Sequence, residues 1–87
     1  MTFQFYSDPG HGWLRVDLAS AKAVGLEPKD FTTFSYAFGN WLYLEEDCDA
    51  GAFIYAYTAK HGRTPDIKNH HSNHNSVIRN YPRIGAA

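Results

Sequence analysis

Phe34-Ser35-Tyr36-Ala37-Phe38-Gly39-Asn40-Trp41-Leu42-Tyr43-Leu44 is the stretch from which the fold can be read. Two aromatic-rich runs flank the dipeptide Gly39-Asn40, and a glycine first in a two-residue loop fits a tight hairpin turn. That register sets Phe38 opposite Trp41 and Tyr36 opposite Tyr43 on one face. Ser35, Ala37, Leu42 and Leu44 take the other, so both faces of the hairpin are largely apolar.

On the N-terminal side, Phe3-Gln4-Phe5 and Gly12-Trp13-Leu14-Arg15-Val16 alternate about the turn Asp8-Pro9-Gly10, which predicts two more strands. Asp17 is a good N-cap for a short Ala-rich helix over Leu18–Val24. Gly25 is placed to end it in the left-handed conformation, and Leu26 to make the apolar contact of a Schellman motif. After the hairpin comes Glu45-Glu46-Asp47-Cys48-Asp49 and a helix over Ala50–Lys60, with Ala50, Phe53, Ile54 and Tyr57 on one stripe. Asp47 or Asp49 can cap it. The runs Asp66–His71 and Ser76–Tyr81 complete the pattern as one or two final strands. The expected fold is α+β: one domain over residues 1–87, ordered ββαββα plus those strands, with a small antiparallel sheet and both helices on one face.

Fourteen aromatic residues (six Phe, six Tyr, two Trp) among 87 give a short chain unusual core-building material. No apolar run approaches the ~20 residues of a membrane span. The first residues lack the pattern of a secretory signal, and a single cysteine precludes an internal disulfide. Cytoplasmic residence is the expectation. Net charge is −1, but the charges are segregated. Up to Ala59 eight acids face only Arg15, Lys22 and Lys29. Beyond it Lys60, Arg63, Lys68, Arg79 and Arg83 face Asp66 alone, with four of the five histidines. An acidic body with a basic, His-rich end points to a polar partner or to two patches that meet within the fold.

Three stretches, Tyr6–Val16, Tyr43–Ala50 and Ser76–Tyr81, resemble a group of small proteins encoded by bacteriophages and other mobile elements. The resemblance implies a mobile-element origin and brings no catalytic residue with it. By analogy of class, small phage proteins of this size are often inhibitors of host defence, including the anti-CRISPR type. The implied partner is a host protein, such as a CRISPR-Cas component.

The candidate sites follow. His11, in a loop with two glycines and a proline, can meet an anion or move a proton; the same residues also make a rigid turn. Glu45, Glu46 and Asp47 can mimic a phosphate backbone or ligate a hard cation, and equally serve a helix start. Cys48, without a neighbouring base, reads as structural. His70, His71 and His74 invite a metal reading, but neighbouring residues on a strand point to opposite faces and the spacing matches no established ligand set, so neither a metal nor another cofactor is expected. Arg79, Tyr81, Arg83 and Lys68, with the Asn/His run, resemble a nucleic-acid surface. The expected partner surface comprises Arg79, Tyr81, His70, His71 and His74, with Trp13 and His11 as neighbours and the acidic run as the alternative. No nucleophile–base–orienter trio is visible. A non-enzymatic inhibitor that binds a host protein is therefore the first expectation, and a small nucleic-acid- or nucleotide-binding domain the second.

Overall fold

The computed structural model describes residues 1–85. Strands β1 (Thr2–Ser7) and β2 (Gly12–Asp17) lead into helix α1 (Leu18–Ala23). Strands β3 (Tyr36–Phe38) and β4 (Trp41–Glu45) lead into α2 (Ala50–His61), and β5 (Asp66–His71) follows. The fold is α+β, with a five-stranded sheet in the order β3-β4-β2-β1-β5.

The local expectations hold. The β3–β4 hairpin pairs Phe38 with Trp41 and Tyr36 with Tyr43, and Gly39 has φ 61 while no non-glycine among the described residues has positive φ, the pattern a type II′ turn needs. Strand β3 is shorter than expected: Phe34 and Ser35 lie in the preceding turn. Asp17 caps α1 by accepting from Ser20 N–H. Gly25 (φ 85) and the bond from Leu26 N–H to Ala21 C=O close the helix as a Schellman motif.

Three expectations are corrected. The sheet is mixed: β5 runs parallel to β1, pairing Phe3 with Ile67 and Tyr6 with His70. A parallel pair requires a crossover, and α2 supplies it. The run Ser76–Tyr81 is no strand: Val77–Asn80 is a 3₁₀ turn whose start is capped by the Ser76 hydroxyl, which accepts from Ile78 N–H. Asp49 stands at the N-cap of α2 without a capping bond. Its buried carboxylate instead accepts from Thr32 N–H, Thr32 Oγ1 and Ser35 Oγ, fastening the loop before β3 to the start of α2.

Period-two alternation divides the sheet's side chains between two layers. On one face Phe3, Leu14, Val16, Leu42 and Leu44 pack with Ala21 of α1 and with Ala50 and Phe53 of α2. Both helices therefore cover this face, and the α2 stripe meets it as its spacing predicts. On the opposite face Trp13, Tyr36, Tyr43 and Ile78 form a smaller cluster, with Tyr6 and Tyr81 packed against it. Ile78 arrives from the C-terminal segment, which then turns around the outer edge of β3. There Ala37 N–H donates to Pro82 C=O, Ile84 N–H donates to Ser35 C=O, and Ile84 is buried in the main core. The segment is thus a strap across one end of the helix-free face. Among the described residues no helix is long and apolar enough to cross a membrane.

Candidate functional site: the helix-free face of the sheet

The strap begins at the β1–β2 loop, and Asp8 fixes it there. The Asp8 side chain is fully buried and receives Arg79 bidentately, Nε at 2.6 Å and Nη2 at 2.8 Å. It also accepts from the N–H groups of Gly10, His11 and Ser76. Arg79, with these N–H donors, holds the Asp8 carboxyl well below the usual carboxylate range against the opposing effect of burial. The same guanidinium lies over the Trp13 ring, 5.4 Å from its centroid.

The structure therefore gathers Arg79, Trp13 and His11 at one end of the face. His11 lies 6.2 Å from Trp13 and 3.5 Å (Nδ1 to Oε1) from the buried Glu45. Tyr81 stacks on Phe38 at 4.6 Å and meets Tyr43 at 5.1 Å. Arg79 is consumed by Asp8, and Arg83 donates to Thr33 C=O, so two of the tail's cations serve to anchor the strap.

The tail histidines diverge. His70 points to the helix-free face, stacks on Tyr6 at 5.0 Å and bonds Gln4 Oε1 at 2.6 Å. His71, on the other side of β5, bonds Ser7 Oγ at 2.9 Å through Nδ1. His74 is exposed in the loop beyond. Among the described residues, the one group with metal-ligand proximity is Glu45, Glu46 and Asp47. Glu45 is already engaged there, accepting from Asp47 N–H at 2.8 Å, while Glu46 and Asp47 face solvent. Cys48 is exposed on the same turn. Desolvation and the carboxylates of Glu45, Asp49 and Asp47 push its thiol above the ordinary value, which opposes thiolate chemistry. Cys48→Ser should leave stability within about 0.5 kcal/mol of wild type, read from urea melts; a larger loss would show that the thiol packs.

The residue that organises the rest of the face escaped the sequence reading. Arg15, at the centre of β2, lies over Trp41 at 4.1 Å and Tyr6 at 5.6 Å. Its Nε is buried without a hydrogen-bond partner. Among the described residues no carboxylate comes within salt-bridge distance of its guanidinium. A partly buried cation without a counter-ion is an unusual arrangement, and it contrasts with Arg79, fully paired a short way along the same face. A hollow of about 210 Å³ lies on one side of Arg15, against Tyr6, Tyr43, Ile78 and Tyr81. Another of about 200 Å³ lies on the other side, against Gln4, Asp17 and Trp41. Burial raises the Tyr43 phenol above its ordinary value, the neighbouring Tyr81 adds to the effect, and Arg15 offsets part of it. Tyr43 thus stays a protonated donor. The signal for this site was the alternation itself: Gln4, Tyr6, Trp13 and Arg15 occupy the positions between the apolar Phe3, Phe5, Leu14 and Val16.

No family model, curated protein or solved structure matches the chain, and the reading of this face rests on its own geometry.

Proposed function

We propose that the protein is a non-enzymatic binding module that takes single-stranded nucleic acid on the helix-free face of its sheet. The observation that carries this reading is Arg15, a cation that among the described residues has no carboxylate partner and is held among aromatic rings on an open surface. Single strands offer a phosphate for such a cation and planar bases for the rings around it. Lys68 adds a positive charge to the face along β5, and His70 adds a ring stacked on Tyr6. Phosphate contacts supply salt-dependent affinity, and stacking on an aromatic ring contributes about 1–3 kcal/mol per base.

Anisotropy of a fluorescent twelve-nucleotide strand, measured with the full chain at low and moderate salt, tests this directly. Arg15→Gln should weaken binding about tenfold, equal to about 1.4 kcal/mol, and flatten the salt dependence while the thermal melt is retained. Absence of binding at low salt would overturn the proposal.

A second reading keeps the mobile-element resemblance in view: an inhibitor of host defence of the anti-CRISPR type, working in the cytoplasm of a bacterial host by binding a protein. Exposed Phe34, Phe38 and Trp41 around the β3–β4 hairpin favour it, because aromatic anchors dominate protein interfaces. In a defence-interference assay, loss of activity in Phe38→Ser but not in Arg15→Gln would select this second reading.

A further inference from the structure

The two hollows flank a single side chain. Arg15 borders both: one is walled by tyrosines and Ile78 of the strap, and the other is lined by the Trp41 ring, the Gln4 amide and Asp17. Each is smaller than the roughly 300–1,000 Å³ of sites that enclose a whole drug-sized ligand, a size that suits one ring system apiece. Charge complementarity orders what lies between them. The guanidinium needs an anion, and the tyrosine-walled hollow offers rings for stacking. The Asp17 carboxylate uses Oδ2 for Ser20 N–H and leaves Oδ1 as an acceptor for an exocyclic amine. Base, phosphate, base is the chemical sequence that matches hollow, Arg15, hollow.

On the nucleic-acid reading above, we infer that the binding unit is one dinucleotide step. Arg15 seats the linking phosphate, one base stacks in the hollow of Tyr6, Tyr43 and Tyr81, and an amine-bearing base occupies the hollow of Trp41 and Asp17. The strap is part of this site, because Ile78 and Tyr81 wall the first hollow and Arg79 on Asp8 holds them there. The Tyr6–His70 stack backs the same hollow from β5.

The test is an NMR titration of the full chain with three probes: dCpdC, CpC, and dCpdC with an uncharged methylphosphonate link. The expected result is that dCpdC or CpC moves the Trp41 indole and the Tyr81 ring together, with the stronger of the two identifying DNA or RNA as the source. The methylphosphonate should bind about tenfold or more weakly, the loss of a charge-assisted contact. Arg15→Gln should weaken dCpdC to the level of the methylphosphonate and leave the latter unchanged. Because the analogue alters the ligand rather than the protein, it reports even if the variant folds poorly. Equal binding of charged and uncharged links overturns the assignment, as do shifts confined to one hollow. If the twelve-nucleotide strand binds while the dinucleotides fail to bind or give either of those results, the nucleic-acid reading stands and the dinucleotide seat on Arg15 falls. If neither binds, both fall.

Discussion

Replacing Asp8 with alanine is expected to cost about 3 kcal/mol, the low end of the range for breaking a buried ion pair, because the Arg79 side chain left behind is 31% exposed and regains solvent. The change strands more than Arg79. The N–H groups of Gly10, His11 and Ser76 also lose their acceptor, and unsatisfied donors add to the cost. Domains of this size hold about 5–15 kcal/mol in total, so the melting temperature should fall by more than about 10 °C. The effect should also depend on pH in one direction. The Asp8 carboxyl titrates far lower in the folded protein than its unfolded value near 3.9. Its contribution is therefore complete above about pH 5 and is lost progressively as pH falls through the unfolded value towards the folded one. Urea melts of wild type and Asp8→Asn should differ most at neutral pH and converge in acid. A gap that stays constant down to pH 2 would show that the ion pair does not set stability.

The second large effect belongs to Trp13. It is 1% exposed, packs edge-on to Tyr36 at 6.3 Å and lies beneath Arg79. Trp13→Ala should cost about 3–5 kcal/mol. The chain's other tryptophan, Trp41, is 38% exposed, and Trp41→Ala should remove only about 1 kcal/mol, mainly its contact with Arg15. Because Arg79 touches both Asp8 and Trp13, the two alanine substitutions should be non-additive by about 0.5–3 kcal/mol in a double-mutant cycle. Strict additivity would mean that strap and sheet are held independently.

What could be read from the sequence was what neighbours in sequence decide. The hairpin register follows from Gly39-Asn40 and the aromatic alternation, and the Schellman end of α1 from Gly25 and Leu26. Each needs only a few consecutive residues. The parallel partner of β1 was illegible because it lies more than sixty residues away, and Asp66–His71 carries little apolar alternation to mark a side. Val77-Ile78 reads as a strand by β-branching, yet the Ser76 cap and the burial of Ile78 beneath a turn prevailed. Arg79, Tyr81, Trp13 and His11 were expected on one partner surface, whereas Trp13 is buried beneath Arg79; that Asp8 binds Arg79 was illegible, because a turn-initiating aspartate looks the same whether or not its carboxylate has a distant partner. Arg15 was missed for a related reason. Its importance emerges only once the side of Phe3, Leu14 and Val16 is known to be the one that both helices cover, which leaves Tyr6 and Trp41 beside it uncovered.

The pairing of the first strand with the last also sets a timetable for synthesis. Strand β1 is synthesised well before its outer neighbour, Asp66–His71, and its loop waits for Arg79. Until then the nascent chain carries an open sheet edge beside Phe3 and Phe5, a surface prone to pairing with other strands. Closing so distant a contact slows folding. The hairpin, α2 and the hollow of Gln4, Asp17 and Trp41 can form early, whereas the strap and the tyrosine-walled hollow are completed only once Ile78 and Tyr81 have been made.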